Sequence, residues 1–150
     1  MSYDFLLKDL YNNLTQKSIG TDKGLAKIGD GVVNLTYSIA KSIVLTRNNK
    51  NNKSIRTGVK VSKTILANAL KEADMKRFAK SRADAHDLAD TVEALIAYIW
   101  FINKMTIEDI INFLVGSLNG NLTVRNEEIQ NATIAFRNLL IEIKKYLPES

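Results

Sequence analysis

The chain has 150 residues, 45% of them hydrophobic and 25% charged, which is the composition of one globular domain with a full hydrophobic core. It contains no cysteine and a single histidine, which excludes a disulfide scaffold, a cysteine-based zinc site or nucleophile, and a multi-histidine metal site within one chain. The net charge of +5 favours a polyanionic partner, although a solvated basic face would account for it as well.

The first part of the chain is predicted to form a helix that ends near Gly20. Its apolar residues repeat at helical spacing: Phe5, Leu6, Leu10 and Leu14. Acidic residues stand where a signal peptide would need basic ones, and the longest apolar run, residues 94–102, is about half as long as a membrane span. We therefore expect a cytoplasmic protein with no membrane partner.

A second helix is predicted to begin after a cap at Thr21 or Asp22. Its apolar stripe consists of Leu25, Ile28, Val32, Leu35 or Thr36, Ile39 and Ile43. The tripeptide Gly29-Asp30-Gly31 interrupts this helix, and each glycine costs about 1 kcal/mol relative to alanine. A tight crossing of another backbone, or a subunit interface, would offset that cost. Asp30 lies at the margin of the apolar face, where an acid could line a cleft.

The segment Asn48 to Gly58 has the composition of a mobile loop, and further helices are predicted after it. The third helix is expected to bury Val61, Ile65, Leu66, Leu70 and Ala73. A short helix is possible at residues 75–79, and Asp84 opens a central helix. Thr106 caps another that ends near Gly116 or Asn119, and the last spans about residues 123–147. Since no strand-like alternation or repeat is found, residues 1–150 are predicted as a single all-α domain, a bundle of six or seven helices.

The central helix contains the most informative segment, ADTVEALI at residues 89–96. Apolar residues cover nearly the whole circumference of this helix, which is typical of a buried one. Asp90 and Glu93 are three residues apart and point the same way. Two partly desolvated like charges are costly unless a proton or a cation neutralises them. The pair is therefore either a solvent-facing feature of the helix start or a metal site.

Two motifs together resemble the ribonuclease III endonuclease-domain family. LAKIGDGVV, at residues 25–33, is similar to the family's signature helix, Glu-x-x-Glu-Phe-Leu-Gly-Asp, and ADTVEALI is similar to its second motif, Ala-Asp-x-x-Glu-Ala-x-x-Gly. Their order, separation and all-α setting also agree. The resemblance covers essentially the whole chain, and it is to stand-alone members without a double-stranded RNA-binding domain, such as mini-ribonuclease III and archaeal ribonuclease III-like proteins.

The resemblance implies an endoribonuclease for double-stranded or structured RNA that works as a homodimer with Mg²⁺ or Mn²⁺ and no small-molecule cofactor. Asp30, Asp90 and Glu93 correspond to the family's catalytic and metal-binding acids. Carboxylate oxygens suit these hard cations. The metal would position and acidify a water for in-line attack on phosphorus.

This chain departs from the family pattern, because Lys23 and Ala26 replace the two glutamates before Gly-Asp. The cluster is thereby one carboxylate short. Asp87 either supplies a replacement oxygen or stabilises the helix start. His86 shares a face with the acids, and it is either catalytic or simply an exposed or satisfied histidine; any serine–histidine–aspartate triad would depend on it.

Without an RNA-binding domain, affinity for RNA would come from a dimer valley and its basic rim. The predicted RNA-binding residues are Lys60, Lys63, Lys80 and Arg82, and the loop from Asn48 to Arg56 is a further candidate. Three hypotheses follow. The chain is a ribonuclease III-like endoribonuclease, a catalytically weakened RNA-binding or ribosome-associated protein of the same fold, or a helical protein-interaction module whose acids bind no metal.

Overall fold

A computed structural model describes residues 3–51 and 53–150, and these form six α-helices, four short 3-10 helices and no strand. The α-helices are α1 (Gln16–Gly20), α2 (Lys23–Arg47), α3 (Lys63–Glu72), α4 (Ala85–Phe101), α5 (Ile107–Ser117) and α6 (Arg125–Ile143). The 3-10 helices are Asp4–Leu7, Leu10–Asn13, Lys76–Phe78 and Lys144–Tyr146. The all-α prediction is confirmed. Of the predicted domain 1–150, Met1, Ser2 and the loop residue Asn52 lie outside the described residues.

The predicted N-terminal helix is wrong. Residues 4–13 form two 3-10 turns, and a regular helix begins only after Thr15. The Thr15 hydroxyl accepts the N–H of Ser18, and the Ser18 hydroxyl accepts the N–H of Thr15, both at 2.9 Å. These side-chain bonds satisfy the backbone in a non-helical conformation, so they start a new helix instead of continuing an old one.

The interior of the bundle is built around α4. Leu88 is the first core residue of α4 and Phe101 is the last. This helix packs against α1, α2 and α3, while α6 packs against α3 and α5. The caps predicted at Asp84 and Thr106 are confirmed, since each side chain accepts the N–H of the third residue of its helix. The residues predicted to face inward from the third helix are all buried, although Val61 precedes α3 and Ala73 follows it. No helix in the described ranges is long and apolar enough to span a bilayer.

Helix α2 begins after Asp22, whose carboxylate accepts the N–H of Leu25 at 2.8 Å, but its buried face differs from the predicted stripe. Of the predicted stripe, Leu25, Val32 and Thr36 are buried, whereas Ile28, Leu35 and Ile39 are exposed. The residues that face the core include three small ones, Ala26, Gly29 and Ala40, as well as Val33 and Tyr37. The sequence of α2 has two apolar faces, and only the one with small residues allows α4 to approach closely.

The segment that follows α2 was predicted as a mobile loop, but from Lys53 onward it is extended and hydrogen-bonded along α2. Four polar side chains of α2 bond to its backbone: Asn34 to Val61, Ser38 to Val59, Ser42 to Thr57 and Thr46 to Ile55. Four helical residues rise about 6 Å, and two extended residues span nearly the same distance, so the two spacings match. We call this arrangement the polar ladder. It places Lys60 and Lys63 beside α2.

Candidate functional site

The candidate site forms where α2 crosses α4. Gly29 lies directly against the backbone carbonyl of Glu93, and a Cβ atom at Gly29 would overlap that carbonyl. The glycine therefore permits the close crossing that the sequence indicated, and the crossing places Asp30 beside Glu93. Gly31 has no neighbour in the space that a Cβ atom would occupy, so the close approach accounts for only one of the two glycines.

We expect Gly29→Ala to lower the free energy of unfolding by about 3 kcal/mol, because the added methyl group must push the α4 backbone away. Gly31→Ala is the matched control, since it adds the same group in the same helix to open space, and it should be neutral or stabilise by up to about 1 kcal/mol. Urea unfolding of both variants measures the difference. Equal effects of the two substitutions would contradict the crossing.

Asp30 and Glu93 form a carboxyl pair at this crossing. The Glu93 side chain is almost completely buried, and a side-chain hydrogen bond joins it to Asp30. Burial, that hydrogen bond and the negative charge of Asp30 raise the pKa of Glu93 to about 8, against an opposing effect of Lys63. At neutral pH Glu93 therefore keeps its proton.

Asp90 lies in the same cleft, but its partners are two lysines and a histidine. Its Oδ2 is 3.3 Å from Lys23 Nζ and 3.6 Å from His86 Nε2, and its Oδ1 is 3.8 Å from Lys63 Nζ. Among residues 3–51 and 53–150, no three aspartate, glutamate or histidine side chains are close enough to form a ready metal site. The three acids predicted from the sequence thus share one cleft, as a carboxyl pair and an ion-paired aspartate.

The cleft is open to solvent and has a basic rim. Its walls are formed by Lys23, Ala26, Lys27, Asp30, Lys60, Lys63, His86, Asp90 and Glu93. Two of the four predicted RNA-binding cations, Lys60 and Lys63, line the cleft. Lys27 also lines it, and the sequence analysis did not predict this residue. Its position one helical turn before Asp30 was the available signal. Ala26 is buried in the wall, so the missing carboxylate leaves no polar atom there.

The remaining predicted residues lie near the cleft or apart from it. Lys80 and Asp87 line a small adjoining pocket and are 3.3 Å apart, whereas Arg82 lines neither pocket. The Asp84 N–H donates to the Asp87 carboxylate at 3.0 Å, and this hydrogen bond lowers the pKa of Asp87. Asp87 therefore stabilises the start of α4, which is the second of the two roles that the sequence left open for it. His86 is largely exposed.

The donor chemistry of the carboxyl pair fits one hard divalent cation. The buried Glu93 carboxyl group can exchange its proton for a cation, which would then neutralise the charges of both carboxylates. Oxygen donors of this kind suit Mg²⁺ or Mn²⁺, and Asp90 contributes further negative charge within the same cleft.

A family model described as Ribonuclease III matches residues 23–149. No curated protein matches the chain. The matched range begins at the first residue of α2 and includes every residue that lines the cleft.

Proposed function

The chain belongs to the ribonuclease III family, and on this premise we propose that it is an endoribonuclease that hydrolyses phosphodiester bonds of double-stranded or structured RNA with Mg²⁺ or Mn²⁺. The observation that carries this proposal is the pairing of Asp30 with the buried Glu93 in a lysine-rimmed cleft. A cytoplasmic location belongs to the same proposal and agrees with the absence of cysteine.

In this mechanism Asp30 and Glu93 would hold the cation, and Asp90 would add negative charge beside them. When bound, the cation supplies an acidified water and neutralises charge on the phosphate. Glu93 must give up its proton for the site to form. Lys27 and Lys60 attract the RNA backbone from the rim of the cleft, and Lys23 and Lys63 keep Asp90 in place.

A gel assay of the purified protein on end-labelled duplex RNA tests the proposal. We expect cleavage with millimolar Mg²⁺ or Mn²⁺ and none with a chelator, and the family's chemistry implies products with 5′-phosphate and 3′-hydroxyl ends. Absence of cleavage in the presence of either metal would refute the proposal.

A second candidate function is binding of RNA without efficient cleavage. Two observations favour it. Ala26 replaces a carboxylate in the cleft wall, and Asp90 forms ion pairs with Lys23 and Lys63. Salt-dependent duplex binding without cleavage at millimolar Mg²⁺ or Mn²⁺ would select this candidate. The variant Ala26→Glu would then be expected to gain cleavage, since it restores the family's acid one turn before Asp30.

The proposed role of the rim cations predicts that Lys60→Ala weakens duplex binding without regard to sequence. The slope of log affinity against log salt should become less steep by about one unit, since one phosphate contact is lost. Lys144→Ala, which removes an exposed lysine outside the cleft, should leave both quantities unchanged. The same slope in both variants and the unsubstituted protein would exclude Lys60 from the interface.

We further propose that the protein is a homodimer that associates through an exposed ridge of α2, formed by Ile28, Leu35 and Ile39. These apolar residues lie on the helix that carries Asp30, and they are exposed in the single chain. Burying them against a second copy would remove them from water.

The dimer proposal predicts that light scattering at micromolar concentration shows a dimer for the unsubstituted protein and a monomer for Leu35→Glu. Ile141→Glu is a matched control, because Ile141 on α6 is 53% exposed and Leu35 is 51% exposed. A monomeric unsubstituted protein, or dissociation by both variants alike, would contradict the ridge as the interface.

A further inference from the structure

Asn34 lies where the extended segment meets the carboxyl pair. Its Oδ1 accepts the N–H of Val61 at 2.8 Å, and its Nδ2 donates to Asp30 Oδ1 at 3.3 Å. A backbone N–H can only donate, so the side-chain atom that faces Val61 must be oxygen. The NH₂ group of Asn34 must therefore face Asp30, and the backbone of the chain itself fixes this orientation.

The other three rungs of the polar ladder show what is special about Asn34. Ser38, Ser42 and Thr46 each accept the N–H of their partner residue, and the same hydroxyl lies within donor reach, 3.2 Å, of that partner's carbonyl oxygen. The hydroxyl groups of these three residues therefore bond to the backbone of the extended segment or of α2, and to no acid. Asn34 accepts from the segment in the same way but directs its donor to a carboxylate of the candidate site.

This donor limits the conformations of Asp30. The carboxyl group of Asp30 meets the Asn34 amide and the Glu93 carboxyl group, so its orientation is defined by two partners. Val61 also adjoins Lys60, which lines the cleft. One side chain thus connects the acid, through a backbone bond, to the segment that carries a cation of the rim.

We propose that Asn34 is a positioning residue, which orients the Asp30 carboxylate toward Glu93 and fixes it relative to the segment that carries Lys60. The inference rests on the proposed function, in which Asp30 and Glu93 hold a metal ion. Residues that orient metal ligands through hydrogen bonds generally affect metal affinity although they do not touch the metal.

The variant Asn34→Ser separates the two roles of the side chain. A serine at this rung can accept the Val61 N–H as the other hydroxyls of the ladder do, but it lacks the amide that reaches Asp30. Ser38→Ala is the matched control, because it breaks the neighbouring rung and touches no acid. Mn²⁺ binding followed by electron paramagnetic resonance, and kcat and KM on duplex RNA, are the measurements.

We expect the dissociation constant for Mn²⁺ to rise about tenfold in Asn34→Ser, with kcat reduced and KM for RNA unchanged. Ser38→Ala should keep the Mn²⁺ affinity of the unsubstituted protein even where it lowers thermal stability. Unchanged Mn²⁺ affinity in Asn34→Ser, or equal losses in both variants, would overturn the proposal.

A third measurement does not depend on metal or RNA. The nuclear magnetic resonance signal of the Asn34 side-chain amide should shift in Asp30→Ala and stay in place in Glu108→Ala, which changes an exposed acid of α5. If the unsubstituted protein neither binds Mn²⁺ nor cleaves RNA, the proposed function fails. The amide signal then still tests whether Asn34 donates a hydrogen bond to Asp30. An amide signal that does not respond to Asp30→Ala refutes the positioning role in either case.

Discussion

Asp30→Asn and Glu93→Gln are each expected to lower the rate of RNA cleavage about a thousandfold, because a metal ion contributes several kcal/mol to the transition state of such a reaction. Both substitutions keep the size of the side chain and remove one of the two anionic oxygen donors of the pair. In Glu93→Gln the amide can still donate to Asp30, as the protonated carboxyl group does. The loss should therefore appear in kcat with the fold intact.

The double variant Asp30→Asn/Glu93→Gln sharpens this test. If both groups serve one ion, its rate should be close to that of either single variant, since residues that act as a unit are not additive. Glu108→Gln, an exposed acid in the first turn of α5, is the control and should cleave at the unsubstituted rate. Full activity of both single variants would remove these residues from the mechanism.

Local signals made much of the fold predictable. Helix α3 has one apolar face, and the caps at Asp84 and Thr106 depend only on residues three positions apart. Helix α4 is apolar on nearly every side, so its burial did not depend on the choice of a face. The elements predicted least well are those that local periodicity cannot define: the 3-10 turns before Thr15 and the second apolar face of α2.

The candidate site was only partly predictable for a related reason. The family motifs indicated Asp30, Asp90 and Glu93, and the structure brings all three to one cleft. The ion pairs of Asp90 involve Lys23 on α2 and Lys63 on α3, which are distant along the chain from α4. No motif spacing encodes those contacts. The polar ladder did have a signal, polar residues every four positions from Asn34 to Thr46, but its partner is an extended backbone with no periodicity of its own.

The free energy of unfolding should decrease as the pH rises from about 5 to about 8. Glu93 keeps its proton in the folded protein up to a pKa of about 8, whereas its ordinary value is 4.5. Between these values the folded state binds more protons than the unfolded state, so stability falls with increasing pH, by about 3 kcal/mol over the whole window. Below pH 4.5 both states are protonated, and this contribution is fully present.

Two variants isolate this effect. Glu93→Gln should remove the decrease, because the amide does not titrate. Glu128 is an equally buried glutamate with the opposite behaviour: burial would raise its pKa, but hydrogen bonds from Lys41, Tyr37 and Arg125 outweigh burial and lower it. Glu128→Gln should therefore keep the decrease from pH 5 to 8 while losing stability at neutral pH, through the broken ion pair with Lys41.

Mn²⁺ should cancel the decrease in the unsubstituted protein, since the ion replaces the proton that Glu93 holds. Thermal unfolding at pH 5, 6, 7 and 8 with and without millimolar Mn²⁺ measures this: the increase in melting temperature caused by the metal should grow with pH and should be absent in Glu93→Gln. A metal-induced stabilisation that does not depend on pH, or that persists in Glu93→Gln, would mean that the ion binds elsewhere. The same titration therefore tests whether Glu93 exchanges its proton for a metal ion, independently of whether any RNA is cleaved.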